Sequence, residues 1–402
     1  MTASSRAKGQ DPGAVAAPDV SLADRTDPDP PRNGEGDHPQ GGGGAAPANP
    51  DKPSSDPYTH KGLTYPLGRR GPETGELILL ADGVGWARLP VPGSLRHINV
   101  WLLDDLDGGL TIVDTGLDIA PSREAWEALF AGPLEGRQVV RILCTHFHPD
   151  HLGLAGWLCE RFGVRLWMTR DEWLFARMLT ADRRDAPPAE AVAYWRAAGW
   201  EEERIEAEKA KGWGRFATLV SPVPVGFIRI QDGETLAIGA RRWKVVVGNG
   251  HCPEHACLVD EEGGLMIAGD QVLPRITSNV SLSLSEPEAD PLGDWLSSIA
   301  KLHELPDTLL ILPSHGEPFT GLHARLDALA HGHRDRLDAL HAHLAVEPRR
   351  SVDCFSILFG RAIDDSIIGL ATGEAMAHLR RLEVEGRAQR DVRDGVHWYR
   401  AT

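Results

Sequence analysis

The stretch that decides the fold is ILCTHFHPDHLGLAGW, residues 142–157. It completes an apolar strand pattern, "RQVVRILCT", and then places His146, His148, Asp150 and His151 within six residues. A short helical pattern, "LGLAGWLCERFG", follows and is closed by Gly163. A buried strand end does not tolerate four ionisable side chains unless something partners them, because each buried polar group left unsatisfied costs about 1–3 kcal/mol. His146 and His148 alternate with Phe147, so on extended chain both imidazoles face one side. Asp150 and His151 follow in the turn and face a second point nearby. Imidazole and carboxylate together suit zinc, iron or manganese.

Upstream of this motif, "GELILLAD", "HINVWLLDD" and "GGLTIVDTG" read as strands, the last ending in a turn at Asp114-Thr115-Gly116. "SREAWEALFAG" reads as a helix opened by Ser122 and closed by Gly132. Strand then helix, repeated, predicts an α/β domain. Downstream, residues 169–218 read as a helical insertion carrying Trp173, Tyr194, Trp195, Trp200 and Trp213. Strands resume with "VGFIRIQDG", "TLAIG", "RRWKVVVGNG", "HACLVDEE" and "GLMIAGD". They are short and closely spaced, as in a second sheet. A helix near 291–305 and the strand "TLLILPSHG" follow.

Three of these later strands end on ligand-type residues. His251 follows "WKVVVGNG", Asp270 follows "LMIAG", and His315 follows "LLILPS". One dense motif, then His, Asp and His at later strand ends beside Gly or Ser, is the pattern of a metal centre. The long helix "LHARLDALAHGHRDRLDALHAHL" also carries His331, His333, His341 and His343, which are expected on its solvated face.

The chain divides into an expected disordered tail over 1–58, rich in Pro, Gly, Ala and Asp; the α/β domain over 59–320; a connecting helix over 321–345; and a C-terminal unit over 346–402. That unit reads as two short helices, a third in "GEAMAHLRRLEVEG", and two strands around Asp394-Gly395, which is a winged-helix pattern. The net charge of the 402 residues is −16. Residues 346–402 carry nine Lys/Arg and nine Asp/Glu. Neither is a nucleic-acid footprint, which needs clustered cations. The five cysteines are scattered without a CxxC pair, which fits a reducing compartment. The N-terminus has no apolar signal-like run and the chain no 18-residue apolar stretch, so a cytoplasmic protein without a membrane partner is expected.

On these residues the chain resembles the metallo-β-lactamase superfamily, in particular its glyoxalase II-like hydrolases. "THFHPDH" matches the family's HxHxDH motif. His251, Asp270 and His315 match its three further ligand positions, and "VDTG" at 113–116 matches its early Asp-bearing turn. The resemblance implies an αββα sandwich with two divalent metals at one edge of the sheets, zinc first, with iron and manganese as alternatives. It implies that His146, His148 and His251 bind one metal, that Asp150, His151 and His315 bind the other, and that Asp270 bridges them. An Asp at the bridging place separates the chain from lactamases that carry Cys there. The family often reads "PGHTPGH" around its third His, where this chain reads "GNGHCPEH"; Asn249 and Glu254 depart from the pattern. His255 matches the second His of that motif and is read, like Asp114, as supporting the ligands. The C-terminal unit resembles the winged-helix segment attached to some of these hydrolases.

Such a centre keeps roughly one positive charge once Asp150, Asp270 and a bridging hydroxide are counted, so it activates water and polarises a carbonyl or phosphoryl oxygen. No GxSxG nucleophile is present, and hydrolysis is the natural reaction. Asp150 would orient the hydroxide or shuttle its proton. The expected small-molecule substrate is a thioester, an acyl-glutathione or acyl-CoA. The alternatives are a lactone or other ester, a phosphodiester cut by a nuclease, and a DNA-binding regulator using the metal domain as sensor. The charge counts speak against the last two, and leave the C-terminal unit a packing or homodimerisation role. Tyr194 in the insertion, and Arg275 and Asn279 in "QVLPRITSNVS", are the expected substrate contacts.

Overall fold

The computed structural model describes residues 54–360 and 362–402. The tail expected at 1–58 lies almost wholly outside them. A small hairpin, β1 (Tyr58–His60) and β2 (Leu63–Tyr65), precedes the first sheet. That sheet orders seven strands as β3 (Ile78–Ala81), β4 (Val84–Pro90), β5 (His97–Asp104), β6 (Gly109–Val113), β7 (Gln138–Leu143), β8 (Leu166–Met168) and β9 (Phe227–Arg229). β3 to β6 are antiparallel, and β6 to β9 run parallel. The second sheet orders β10 (Thr235–Ile238), β11 (Arg241–Gly248), β12 (His255–Asp260), β13 (Leu265–Gly269) and β14 (Leu310–Pro313), with only the last pair parallel.

The period-2 alternation of strands sorts their side chains into layers. In β5, Trp101 and Leu103 join the core between the sheets, while Ile98, Val100 and Leu102 face outward into a helical layer. In β11, Trp243, Val245 and Val247 enter the same inter-sheet core and Val246 faces the other helical layer. On the first sheet that layer holds α1 (Ala120–Ala131), α3 (Ala155–Phe162) and part of α4 (Arg170–Ala181), with the short α2 (Pro149–Leu152) at the motif itself. On the second sheet it holds α7 (Pro291–Leu302) and α8 (Leu322–Leu344). The result is the expected αββα sandwich.

The insertion continues from α4 through α5 (Ala189–Ala198) and α6 (Glu202–Lys209). The C-terminal unit holds a 3-10 turn at Val352–Cys354 running into α9 (Phe355–Leu358), then α10 (Ile368–Val384) and the hairpin β15 (Ala388–Arg393) and β16 (Val396–Ala401). Leu358, Ala371, Leu379, Leu382 and Tyr399 share one core with α7 and α8, so the unit packs within its own chain. Among the described residues no helix is long and apolar enough to cross a membrane.

Several local readings change. "VGFIRIQDG" belongs to the first sheet, because β9 pairs with β8 rather than with β10. β4 and β8 are additional strands. α1 begins at Ala120, where Pro121 fits the first turn, so Ser122 lies inside the helix and its hydroxyl donates to the Pro90 carbonyl. His333 is fully buried, not solvated; α10 covers that face of α8, and the His333 ring meets His378 at 3.3 Å.

Candidate metal centre

Every ligand-type residue named from the sequence sits just past a strand end, and the ends converge. β7 delivers His146, His148, Asp150 and His151; β11 delivers His251; β13 delivers Asp270; β14 delivers His315. Two clusters result: His146, His148, His251 and Asp270, and Asp150, His151 and His315, each with its ligand atoms within 4.8 Å of one another.

The spacing between ligand atoms tests the fit to an ion. Ligands about 2.0–2.2 Å from a shared zinc in tetrahedral array lie about 3.3–3.6 Å apart. His251 Nε2 lies 3.4 Å from His146 Nε2 and 3.5 Å from Asp270 Oδ2. His315 Nε2 lies 3.3 Å from Asp150 Oδ2, and His151 Nε2 lies 3.6 Å from the same oxygen. Asp270 stands between the clusters: Oδ2 is also 3.5 Å from His151 Nε2, and Oδ1 is 3.5 Å from His315 Nε2. His151 Nε2, His315 Nε2 and Asp270 Oδ1 are buried without a hydrogen-bond partner. Such atoms are costly unless an ion takes them, which favours a cation at the second cluster. In the first, His148 Nδ1 lies 2.9 Å from His146 Nε2, closer than the tetrahedral spacing, and the four donor atoms still gather within reach of one ion.

In four of the five rings a bond on the far side fixes which nitrogen faces inward. His251 Nδ1 donates to the Asn279 carbonyl at 2.7 Å, and His315 Nδ1 to the His97 carbonyl at 2.9 Å. His151 Nδ1 donates to Asp114 Oδ2 at 2.8 Å, and His146 Nδ1 meets Thr145 Oγ1 at 3.0 Å. Asp114 also accepts from the Thr145 N–H at 2.8 Å. Its φ of 63° is the left-handed region, uncommon for a non-glycine residue and here part of the turn that aims the carboxylate. His255 Nε2 accepts from the Asp270 N–H at 3.0 Å. A Cβ on Gly269 would fall 2.3 Å from that ring nitrogen, so the close approach requires glycine. Asn99, fully buried in β5, donates to the Pro313 and Gly316 carbonyls at 2.8 and 2.9 Å and so fixes the turn carrying His315 across the sheets.

The two clusters differ in charge. Burial, with His151 and His148 beside it, holds His146 well below the ordinary imidazole value, and burial with His251 pushes His148 down to about 3. Burial opposes charge on His151 too, but Asp150, Asp270 and Asp114 outweigh it and hold that ring well above the ordinary value. His315 is raised in the same way by Asp270 and Asp150. Burial works to raise both carboxylates, yet His151 and His315 hold Asp270 well below its ordinary value and Asp150 below its own.

The substrate contacts expected from sequence are placed differently. Tyr194 donates its hydroxyl to the Leu282 carbonyl at 2.7 Å and packs against the cluster that holds Trp200, Ile205 and Met376. Arg275 pairs with Glu317 at 2.8 Å, bonds the Tyr58 hydroxyl and lies over Tyr65. Asn279 reaches His251 through its backbone, while its side chain donates to Glu374 of α10 at 3.2 Å. The aromatic wall beside the ligands is Phe147, 4.7 Å from His148, with Phe175 at 5.5 Å and Phe216 at 6.2 Å from Phe147. Glu172, fully buried in the first turn of α4, accepts from the Phe147 N–H at 2.8 Å beside the ligand run; nothing in the sequence marks it, because an acid in a helix's first turn reads as a partner of the helix dipole.

Comparison with known proteins matches residues 93–315, which contain every ligand above, to the Metallo-beta-lactamase superfamily profile. Residues 337–402 match the metallo-beta-lactamase-like C-terminal domain, which therefore starts inside α8. A crystal structure of a beta-lactamase domain protein from Burkholderia ambifaria is 39% identical with a TM-score of 0.75, covering 85% of this chain and 99% of that one. The probable metallo-hydrolase YqjP of Bacillus subtilis is 25% identical over 315 residues, 74% of this chain and 91% of the relative. The acyl-coenzyme A thioesterase MBLAC2 of Homo sapiens is 24% identical, over 60% of this chain and 80% of its own length. The hydroxyacylglutathione hydrolase GloC of Haemophilus influenzae is 25% identical, over 44% and 68%.

Proposed function

The chain belongs to the metallo-β-lactamase superfamily, and from that premise we propose that it is a dinuclear metal-dependent hydrolase of a carbonyl substrate, a thioester of the acyl-glutathione or acyl-CoA type. The observation that carries the reading is Asp270, whose two oxygens lie 3.5 Å from histidines of both clusters. His146, His148 and His251 would hold one ion, and Asp150, His151 and His315 the other, with Asp270 shared. Imidazole and carboxylate donors suit zinc, with iron or manganese as alternatives. Two divalent ions there supply a Lewis acid for a carbonyl oxygen and lower the pKa of water.

The chain's own groups do the rest. Asp150 is buried with its oxygen against His315 and His151, and its carboxylate orients the attacking water and accepts its proton. Asp114 and the His97 carbonyl keep His151 and His315 turned inward, and His255 fixes the backbone of Asp270. Phe147, Phe175 and Phe216 offer an apolar wall to the acyl chain. The thioester reading is supported by the activities named for MBLAC2 and GloC. Five free, buried cysteines suit a reducing cytoplasm.

The test is a hydrolysis screen of the metal-loaded protein against acyl-glutathiones, acyl-CoAs, lactones and phosphodiesters. Thioesters should turn over fastest. Turnover of lactones alone would move the assignment to the ester reading, and turnover of phosphodiesters alone would refute an acyl hydrolase.

A further inference from the structure

We propose that Glu172 and Glu254 form a reciprocal lock that positions His146, His148 and His251, the ligands of one ion; the inference rests on the dinuclear reading above. Glu172 is fully buried in the first turn of α4. Its Oε2 accepts from the Phe147 N–H at 2.8 Å, and its Oε1 from the Glu254 N–H at 2.7 Å. Phe147 lies between His146 and His148. Glu254 lies three residues past His251. One carboxylate therefore ties together two ligand loops that come from different sheets.

The bond is returned. Glu254 Oε2 accepts from the Asp171 N–H at 2.9 Å, one of the first-turn donors that a helix leaves without an internal partner. The Glu254 carbonyl accepts the Thr169 hydroxyl at 2.8 Å. Loop and helix start thus hold each other through three hydrogen bonds, and a fourth, from the Phe147 N–H, ties the His146–His148 loop to the same helix. Glu254 is also where "GNGHCPEH" departs from the family's "PGHTPGH", which has glycine there. A glycine has no side chain with which to cap α4, so the departure and the lock are one feature. It further sets the aromatic wall, because α4 carries Phe175 against Phe147. The other ion's ligands, His151 and His315, are held instead by Asp114 and the His97 carbonyl.

Residues that orient metal ligands typically change metal affinity by about 10–100-fold when altered. The test is zinc titration of the stripped full-length protein at mildly alkaline pH against a chromophoric chelator, with cobalt absorption spectra alongside. In Glu172→Gln, one of the two zinc affinities should weaken by about 10–100-fold and the other stay within about threefold, with an altered cobalt spectrum. Glu254→Gly should weaken the same ion. Glu254→Gln, which keeps an oxygen for the Asp171 N–H, should restore it. Unchanged affinities for both ions, or equal weakening of both, would overturn the lock. If Glu172→Gln does not fold, the Gly and Gln variants of Glu254 decide by the same criterion. A wild type that binds fewer than two zinc ions counts against the dinuclear reading, and the lock still requires its remaining ion to weaken in Glu172→Gln.

Discussion

The two ligand clusters are built from the same residue types and behave in opposite ways. His146 and His148 are buried among other histidines, which keeps the rings neutral. They are ready ligands. His151 and His315 are buried beside Asp150 and Asp270, which raise both rings above the ordinary imidazole value and so favour protons on them. An ion entering there must displace those protons. Under the proposed reading, the first cluster would serve as a holding site and the second would concentrate the proton chemistry. The difference comes from one turn, Pro149-Asp150-His151, which brings a carboxylate in beside the imidazole.

Breaking the element common to both clusters should have the largest effect. Metal ions contribute several kcal/mol to such hydrolyses, so Asp270→Ala should lower kcat/KM by about 10³-fold or more in thioester assays. Next, Asp150→Asn removes the proton acceptor of the second cluster only. It should cost about 10²-fold in kcat and lose the alkaline-side plateau of the pH–rate profile. Asp114→Asn leaves both ligand sets intact and loosens only His151. Zinc affinity of one ion should weaken by about 10–100-fold, measured by chelator competition.

The charge difference itself gives a pH prediction. The raised histidines of the second cluster stay protonated as pH rises past their ordinary value, so ion binding there releases protons. Its affinity should climb by about tenfold per pH unit for each proton displaced. His146 and His148 are depressed and carry no proton to displace near neutrality, so the first ion's affinity should be nearly flat over the same range. Calorimetry in buffers of different ionisation enthalpy separates the two. The smallest effect belongs to the wall: Phe175→Ala should raise KM for long acyl chains by about tenfold and leave short ones unchanged.

What the sequence made legible follows the same division between local and distant causes. His146, His148, Asp150 and His151 stand in one run after a strand, and His251, Asp270 and His315 each follow an apolar strand, so all seven residues of the two clusters could be read off strand ends. The two-sheet sandwich was legible because the strands alternate. Asn99 was not, because its partners Pro313 and Gly316 lie more than 200 residues away. Nor was the burial of His333, which depends on α10 covering α8, or the sheet to which β9 belongs, which depends on a parallel partner before a long insertion. The packing of Tyr194 against the cluster that includes Met376 and Ala377 of α10 was not legible either, because an aromatic residue in an insertion looks the same from sequence whether it lines a site or packs against a distant helix.

The central claim is that one carboxylate joins two ions, and metal content tests it most directly. Wild-type protein and Asp270→Ala, loaded with zinc and freed of excess, should be compared by elemental analysis with folding checked by circular dichroism. About two zinc ions per chain are expected in wild type, with a marked loss in the folded variant. A folded Asp270→Ala that keeps both ions would contradict it.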